Sequence, residues 1–245
     1  VRDYRHSSRY FVYQPQVTFD FYKQTKPVNM TRIFLSTVLV IIAIATTNAQ
    51  ITLTSANVPT ANLVANMAEA DSVWTAALNI GPAGTNQTWD FSSATSPYAP
   101  YPTFYVSPAN TPSASSFPGC NLASTDQLSD TASYNYLKVT PTAVSLLGFK
   151  SNTDSVKYKS PLKEFIIPTA YQTTFTQKDT LSGVGGGYAI TGTTTETVLV
   201  DAWGNVTTPL GSFACLRIKR NTTQNLVALG IIPLTVTSIT YEWWA

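Results

Sequence analysis

Histidine is all but missing from this 245-residue chain: the only one, His6, stands near its start. Beyond residue 6 a Ser-His-Asp triad, a Cys-His nucleophile and any His-ligated zinc are therefore excluded. Cysteine is scarce as well, and Cys120 and Cys215 alone cannot complete a four-ligand zinc site. Charged residues make up only 11 % of the chain. No basic stretch offers the counterion-displacing patch that nucleic acids select. The uncharged run at residues 33–45 (IFLSTVLVIIAIA) is thirteen residues long, short of the roughly 20 that carry a helix across a bilayer.

That run has neighbours which give it a different meaning. Met30-Thr31-Arg32 supplies a short basic start, and Thr46-Thr47-Asn48-Ala49 a small-residue exit. Basic start, apolar run and small-residue exit are the parts of a secretory signal, with cleavage expected after Ala49. Residues 1–29 fit no step of that pathway and are read as an upstream leader, with the true start at Met30. The expected organisation is leader 1–29, signal peptide 30–49 and a single β domain over residues 50–245. The domain is expected to be exported to the periplasm and on to the cell exterior. Six of the 15 Lys and Arg and two of the 13 Asp and Glu precede Gln50. The exported part thus keeps nine basic and eleven acidic residues, a net charge of −2. In an oxidising compartment Cys120 and Cys215 have two readings. A bridge would close a 95-residue loop worth ~4–5 kcal/mol in the chain-entropy treatment; the other reading is a buried free thiol at Cys215.

Thr, Ser, Tyr and Val dominate residues 50–245, punctuated by Pro and Gly, which is the composition of many strands joined by turns. Residues 133–140 and 143–150 read as a hairpin about Pro141. Further strands are expected at 155–160, 164–167, 171–177, 188–203 with a bend near Gly192, 213–220 and 235–244. Gly204-Asn205 suits a two-residue hairpin turn, and Pro209-Leu210-Gly211 a second. In 213–220, Ala214, Leu216 and Ile218 share one face and Arg217 and Lys219 the other. Residues 63–69 are open to helix or strand. Residues 92–121, with six prolines, form a long excursion. The fold class expected is all-β with little helix, an antiparallel β-sandwich or a strongly curved half-barrel.

Three segments carry a resemblance. Residues 84–92 (GTNQTWDFS), the stretch from Asp201-Ala202-Trp203-Gly204 through Pro209 and Gly211 to Leu216-Arg217-Ile218-Lys219, and Tyr241-Glu242-Trp243-Trp244 are similar to segments of secreted proteins that leave by the type IX secretion system. The resemblance implies export machinery as a partner and carries structural motifs but no catalytic residue. Such proteins end in a separate C-terminal sorting domain, so the expectation is a domain truncated at residue 245.

Candidate chemistry is sparse. Glycoside hydrolysis needs two acids facing one another, and Asp90, Glu196 and Asp201 are the candidates, each beside aromatic or apolar residues; against this, Asp90 reads as a turn cap and Asp201 as the start of a hairpin. Gly183-Val184-Gly185-Gly186-Gly187 lacks the Lys-Ser/Thr of a phosphate loop and reads as a hairpin tip. Asp126 and Asp130 lack a calcium-loop pattern. No metal or cofactor is expected. Lys157, Lys159 and Lys163, and Arg217, Lys219 and Arg220, read as solvent-facing clusters on edge strands. The aromatics point further: Trp203, Trp243 and Trp244 are candidates to stack on sugars, with core packing as the other reading. Because Trp243 and Trp244 are adjacent, they are expected on opposite faces of one strand. Asp-Ser/Thr-aliphatic tripeptides at Ser72, Thr131, Ser155 and Thr180 are similar to the O-glycosylation acceptor of bacteria with the type IX route, and also mark turns.

The function expected is a secreted or cell-surface non-enzymatic module, adhesive or glycan-binding. An acid-pair hydrolase and a carrier of an apolar ligand are the alternatives. The expected partners are a glycan or surface partner; nucleic acid is not among them, and the mature domain does not span a membrane. Material exported by a host should begin at Gln50 or its pyroglutamate form by N-terminal mass analysis. Retention of residues 33–45 in a membrane fraction would contradict the signal-peptide reading.

Overall fold

Period-two alternation of Thr, Val and aromatic residues becomes strand over most of the described residues. The computed structural model describes residues 8–12, 51–70, 80–93, 100–129 and 131–245. The expected signal peptide, Ser72 and Asp130 lie outside these residues. The strands are β1 (Ser8–Val12), β2 (Val64–Ala70), β3 (Gly84–Asp90), β4 (Tyr101–Val106), β5 (Leu122–Thr125) and β6 (Tyr134–Thr140). They continue as β7 (Ala143–Lys150), β8 (Ser155–Ile166), β9 (Thr174–Gly185), β10 (Tyr188–Thr208), β11 (Gly211–Ala228) and β12 (Ile232–Trp244). Helix among the described residues is confined to three 3-10 turns, Ser55–Asn57, Pro108–Asn110 and Ala114–Ser116.

All strands join one sheet in the order β11-β12-β1-β2-β4-β5-β6-β7-β8-β9-β10-β3, with β10 also paired to β11. Every pairing is antiparallel except β1–β12 and β3–β10. The sheet curls into a half-barrel, an all-β architecture of the kind expected. β1 comes from the expected leader, residues 1–29; its backbone pairs with residues 66–70 of β2 and 242–244 of β12.

The curl gives the sheet a concave and a convex face, and each buries its own apolar groups. On the concave side Val198, Val200, Trp203, Leu216 and Ile218 pack against Leu53, while Ala65, Tyr105, Leu122 and Leu137 form a neighbouring cluster. On the convex side two segments act as covers. β3 lays Trp89 and Phe91 over Ala202, Val206, Cys215 and Trp243. The Pro-rich excursion sets Phe117 on Tyr136, rings stacked with centroids 4.2 Å apart, beside Ala123, Tyr134 and Leu147. The excursion is thus part of the core and also contributes β4.

The β6–β7 hairpin forms as expected, Thr140 facing Ala143 across Pro141-Thr142. β8 is one strand where two were expected. Pro161, which has no N–H to give, sits between the Leu146–Leu162 and Gly148–Lys157 pairs, where the β7–β8 register shifts. β9 runs into the glycine cluster, and Gly186 and Gly187, both at positive φ, make the hairpin turn to β10. Residues 63–69 hold no helix: Val64 onward is strand.

The hairpin expected at Gly204-Asn205 is absent. β10 runs through both residues, and the turn to β11 comes at Pro209-Leu210. Gly204 serves close approach instead: a Cβ there would sit 1.9 Å from the Gln87 carbonyl oxygen of β3. Gly192 likewise marks contact with β11, where a Cβ would lie 2.3 Å from the Asn225 carbonyl oxygen, rather than a bend. Gly204→Ala should therefore push β3 away, at a cost of about 1–3 kcal/mol. An unchanged melting temperature would show that β3 does not dock through this glycine.

Candidate functional site

β11 carries two buried arginines, Arg217 and Arg220. Residues three apart on a strand point to opposite faces, and these two organise the convex and concave sides respectively. Both contradict the solvent-facing reading of this cluster; Lys157, Lys159 and Lys163 are exposed as expected, but β8 and β11 are each paired on both sides and neither is an edge strand.

On the convex side the β10–β11 register shifts between Val200 and Ala202. Asp201 is the extra residue of this bulge, and its carboxylate meets Arg217 in a two-pronged pair, Nε to Oδ1 at 2.8 Å and Nη2 to Oδ2 at 3.0 Å. Arg217 also donates to the carbonyls of Ile80, Gly81 (3.2 Å) and Pro82 (3.1 Å). Its guanidinium carbon stands 5.4 Å from the centroid of Trp89 and 5.1 Å from that of Tyr241. Trp89 Nε1 donates to the same Ile80 carbonyl at 2.9 Å. Five donors find five acceptors, so this cation anchors the loop before β3 and has no proton or donor to offer a substrate.

On the concave side Arg220 faces three carboxylates. It donates to Glu196 at 3.0 Å, to Glu242 at 3.4 Å and to the Glu164 carbonyl at 2.8 Å, with the Glu164 carboxylate at 3.5 Å. Glu196 also accepts from Gln177 (2.9 Å) and Thr222 (3.3 Å), and Glu242 from Trp244 Nε1 (3.2 Å). Burial works against the charge on Arg220, but Glu242, Glu164 and Glu196 outweigh it and hold the guanidinium more firmly protonated than usual. Burial, with the field of Glu164, pushes the Tyr105 phenol up to about 12. Tyr158 is raised by burial too, with Glu164, Glu196 and Asp179 adding to it.

Beside this cluster the concave wall opens into a cavity of about 240 Å³. Its lining alternates by rows. Met67, Leu122, Leu137, Val144, Leu146 and Phe165 give apolar surface; Tyr101, Tyr105 and Trp244 give rings. Thr103, Ser124, Thr125, Asp126, Ser133, Asn135 and Glu164 give hydrogen-bonding groups. Cross-strand pairing explains the grouping: Tyr105 stands opposite Ser124, Ser124 opposite Asn135, and Leu122 opposite Leu137. Trp244 holds its place by an edge contact to Phe165, ring centroids 4.7 Å apart.

The sequence candidates separate accordingly. Asp90 is exposed and caps a turn through the Ser92 amide (2.9 Å); hydrogen bonding from the Ser92 side chain, and then from its amide, keeps the carboxyl below the usual range. Glu196 belongs to the concave cluster and Asp201 to the convex pair, so the three candidate acids do not meet in one cleft. Trp203 and Trp243 are buried core residues, Trp243 making edge contacts with Trp89 and Phe91; as surface stacking residues they are corrected. Trp244 alone of the three borders the cavity, on the face opposite Trp243. Cys120 and Cys215 are free thiols in different clusters, so the bridge is not formed. Burial raises both thiols, Cys215 to about 12. Thr131 and Thr180 are exposed and Ser155 is half-buried.

Among the described residues no group of three His, Cys, Asp or Glu is placed to hold a metal, and no helix is long and apolar enough to cross a membrane. The cavity was not legible in the sequence because its lining comes from seven strands, none of which is unusual alone. Comparison of the chain with protein families, with curated proteins and with solved structures gives no match.

Asp201→Ala leaves Arg217 buried without its carboxylate and should cost about 3–5 kcal/mol in urea unfolding. The Asp201→Ala, Arg217→Met double variant should lose clearly less than the sum of the two single changes. Additive losses would mean that the pair does not act as a unit.

Proposed function

We propose that this protein is an exported, non-enzymatic binding module which takes one sugar-sized unit of a glycan into the concave cavity. The observation that carries this reading is the cavity's mixed wall. Three rings offer apolar faces, and seven side chains around them can donate or accept hydrogen bonds. A wholly apolar ligand would set the buried hydroxyls of Thr103 and Ser124 against hydrocarbon, whereas a sugar ring has both an apolar face and hydroxyls to meet them. The volume, about 240 Å³, is below the roughly 300 Å³ at which pockets for drug-sized ligands begin, and suits a single ring.

The hydrolase alternative has less support. Two carboxylates border the cavity, but Glu164 is tied to Arg220 and Asp126 is exposed at the rim. Export by the type IX route rests on the resemblance of residues 84–92, 201–219 and 241–244. O-glycosylation is supported by the exposure of Thr131 and Thr180 and less by Ser155.

Calorimetric titration with a panel of monosaccharides and short oligosaccharides, beside alkyl carboxylates of similar size, tests the proposal. Saturable sugar binding is expected, weakened about tenfold or more by Trp244→Ala, in line with ~1–3 kcal/mol for a stacked ring. Binding of alkyl carboxylates alone would favour the carrier. Release of new reducing ends, abolished by Glu164→Gln, would establish a hydrolase instead.

A further inference from the structure

The long hairpins β9–β10 and β11–β12 continue past the charged row that holds Arg220, and there β12 lies at the margin of the ladder. Along residues 232–241 β12 pairs with β11 on one side; β1 reaches only residues 242–244 on the other. Among the described residues, nothing pairs with the second side of residues 232–241. A strand edge of this kind carries a row of backbone N–H and C=O groups, whose geometry fits only another extended chain.

The usual protections of such an edge are nearly missing. No charged residue occurs from Asn221 through Tyr241, and Pro233 is the one residue that blocks pairing, close to the hairpin tip. Ile232, Leu234 and Ile239 are 51 %, 53 % and 37 % exposed on this strand. Its two faces differ: Thr235 and Thr237 share one, Leu234, Val236 and Ser238 the other.

We propose that residues 232–241 form a strand-addition site occupied by the same strand of a second copy of this chain, antiparallel about a two-fold axis at Val236. Self-pairing suits this strand because it lacks charge: no like-charged residues are brought face to face. Thr235 then stands opposite Thr237 of the partner, Leu234 opposite Ser238, and Ile232 opposite Thr240. The interface is isologous and closed, so it yields a dimer rather than a fibre. The two sheets become continuous across it.

Sedimentation velocity on the purified chain tests this register. The unaltered protein should show a concentration-dependent dimer. Thr235→Lys with Thr237→Lys places lysine opposite lysine twice and should weaken self-association about tenfold or more. Thr235→Glu with Thr237→Glu should do the same. Thr235 is exposed and Thr237 is at the sheet surface, so the melting temperatures should stay close to that of the parent. Mixing the lysine and glutamate variants should restore a dimer containing one copy of each, which misfolded chains could not do. A parent that stays monomeric throughout, a lysine variant that dimerises as well as the parent, or a mixture that stays monomeric would each overturn the proposal.

Discussion

Two guanidinium groups buried on one strand set the terms for the rest of this domain. Taking an arginine out of water is costly unless every donor is met and a carboxylate balances the charge. Arg217 meets that condition with five acceptors, and Arg220, on the opposite face of β11, is held by three carboxylates and the Glu164 carbonyl. Arg217 draws in Asp201 and three successive carbonyls at residues 80–82, which fixes where β3 begins. Once β3 is there, Trp89 and Phe91 reach Trp243 and close the convex side. The β10 bulge belongs to the same device: one extra residue turns Asp201 to the face where Arg217 waits.

Arg220 plays the complementary part inside the curl. It gathers carboxylates from β10 and β12, the two strands paired with β11, and from β8, which pairs with none of the three, and so ties β8 to the β10–β11–β12 region on the concave side. The tie fills that end of the interior with charge and leaves an open space beside it. Walls built from alternating rows then give that space both apolar and hydrogen-bonding surface. The cavity is in this sense a consequence of how the charge is buried.

Much of this was legible locally and little of it globally. The β6–β7 hairpin, the turn-capping role of Asp90 and the split of β11 into an apolar face and an Arg217–Lys219 face follow from alternation and turn chemistry, which act over a few residues. The failures share one cause. Gly204-Asn205 has the composition of a turn, yet Gly204 is needed because β3 lies against it. Arg217 and Arg220 look like edge-strand cations, yet cover arrives from residues 80–82 and from Glu164, far away in sequence. Trp203 and Trp243 look available for stacking until both faces of the β10–β11–β12 region prove to be covered. Period-two patterning tells which residues share a face; it does not tell whether a second layer lies on that face.

The claim that binding happens on the concave wall, and nowhere else on the domain, is tested most directly by NMR shift mapping during addition of a binding sugar. Changes are expected at Tyr105, Ser124 and Asn135 and at the indole N–H of Trp244, with Trp89, Tyr136 and Trp243 on the convex side unmoved. Shifts confined to the convex covers or to the hairpin tips, with the Trp244 indole unchanged, would contradict it.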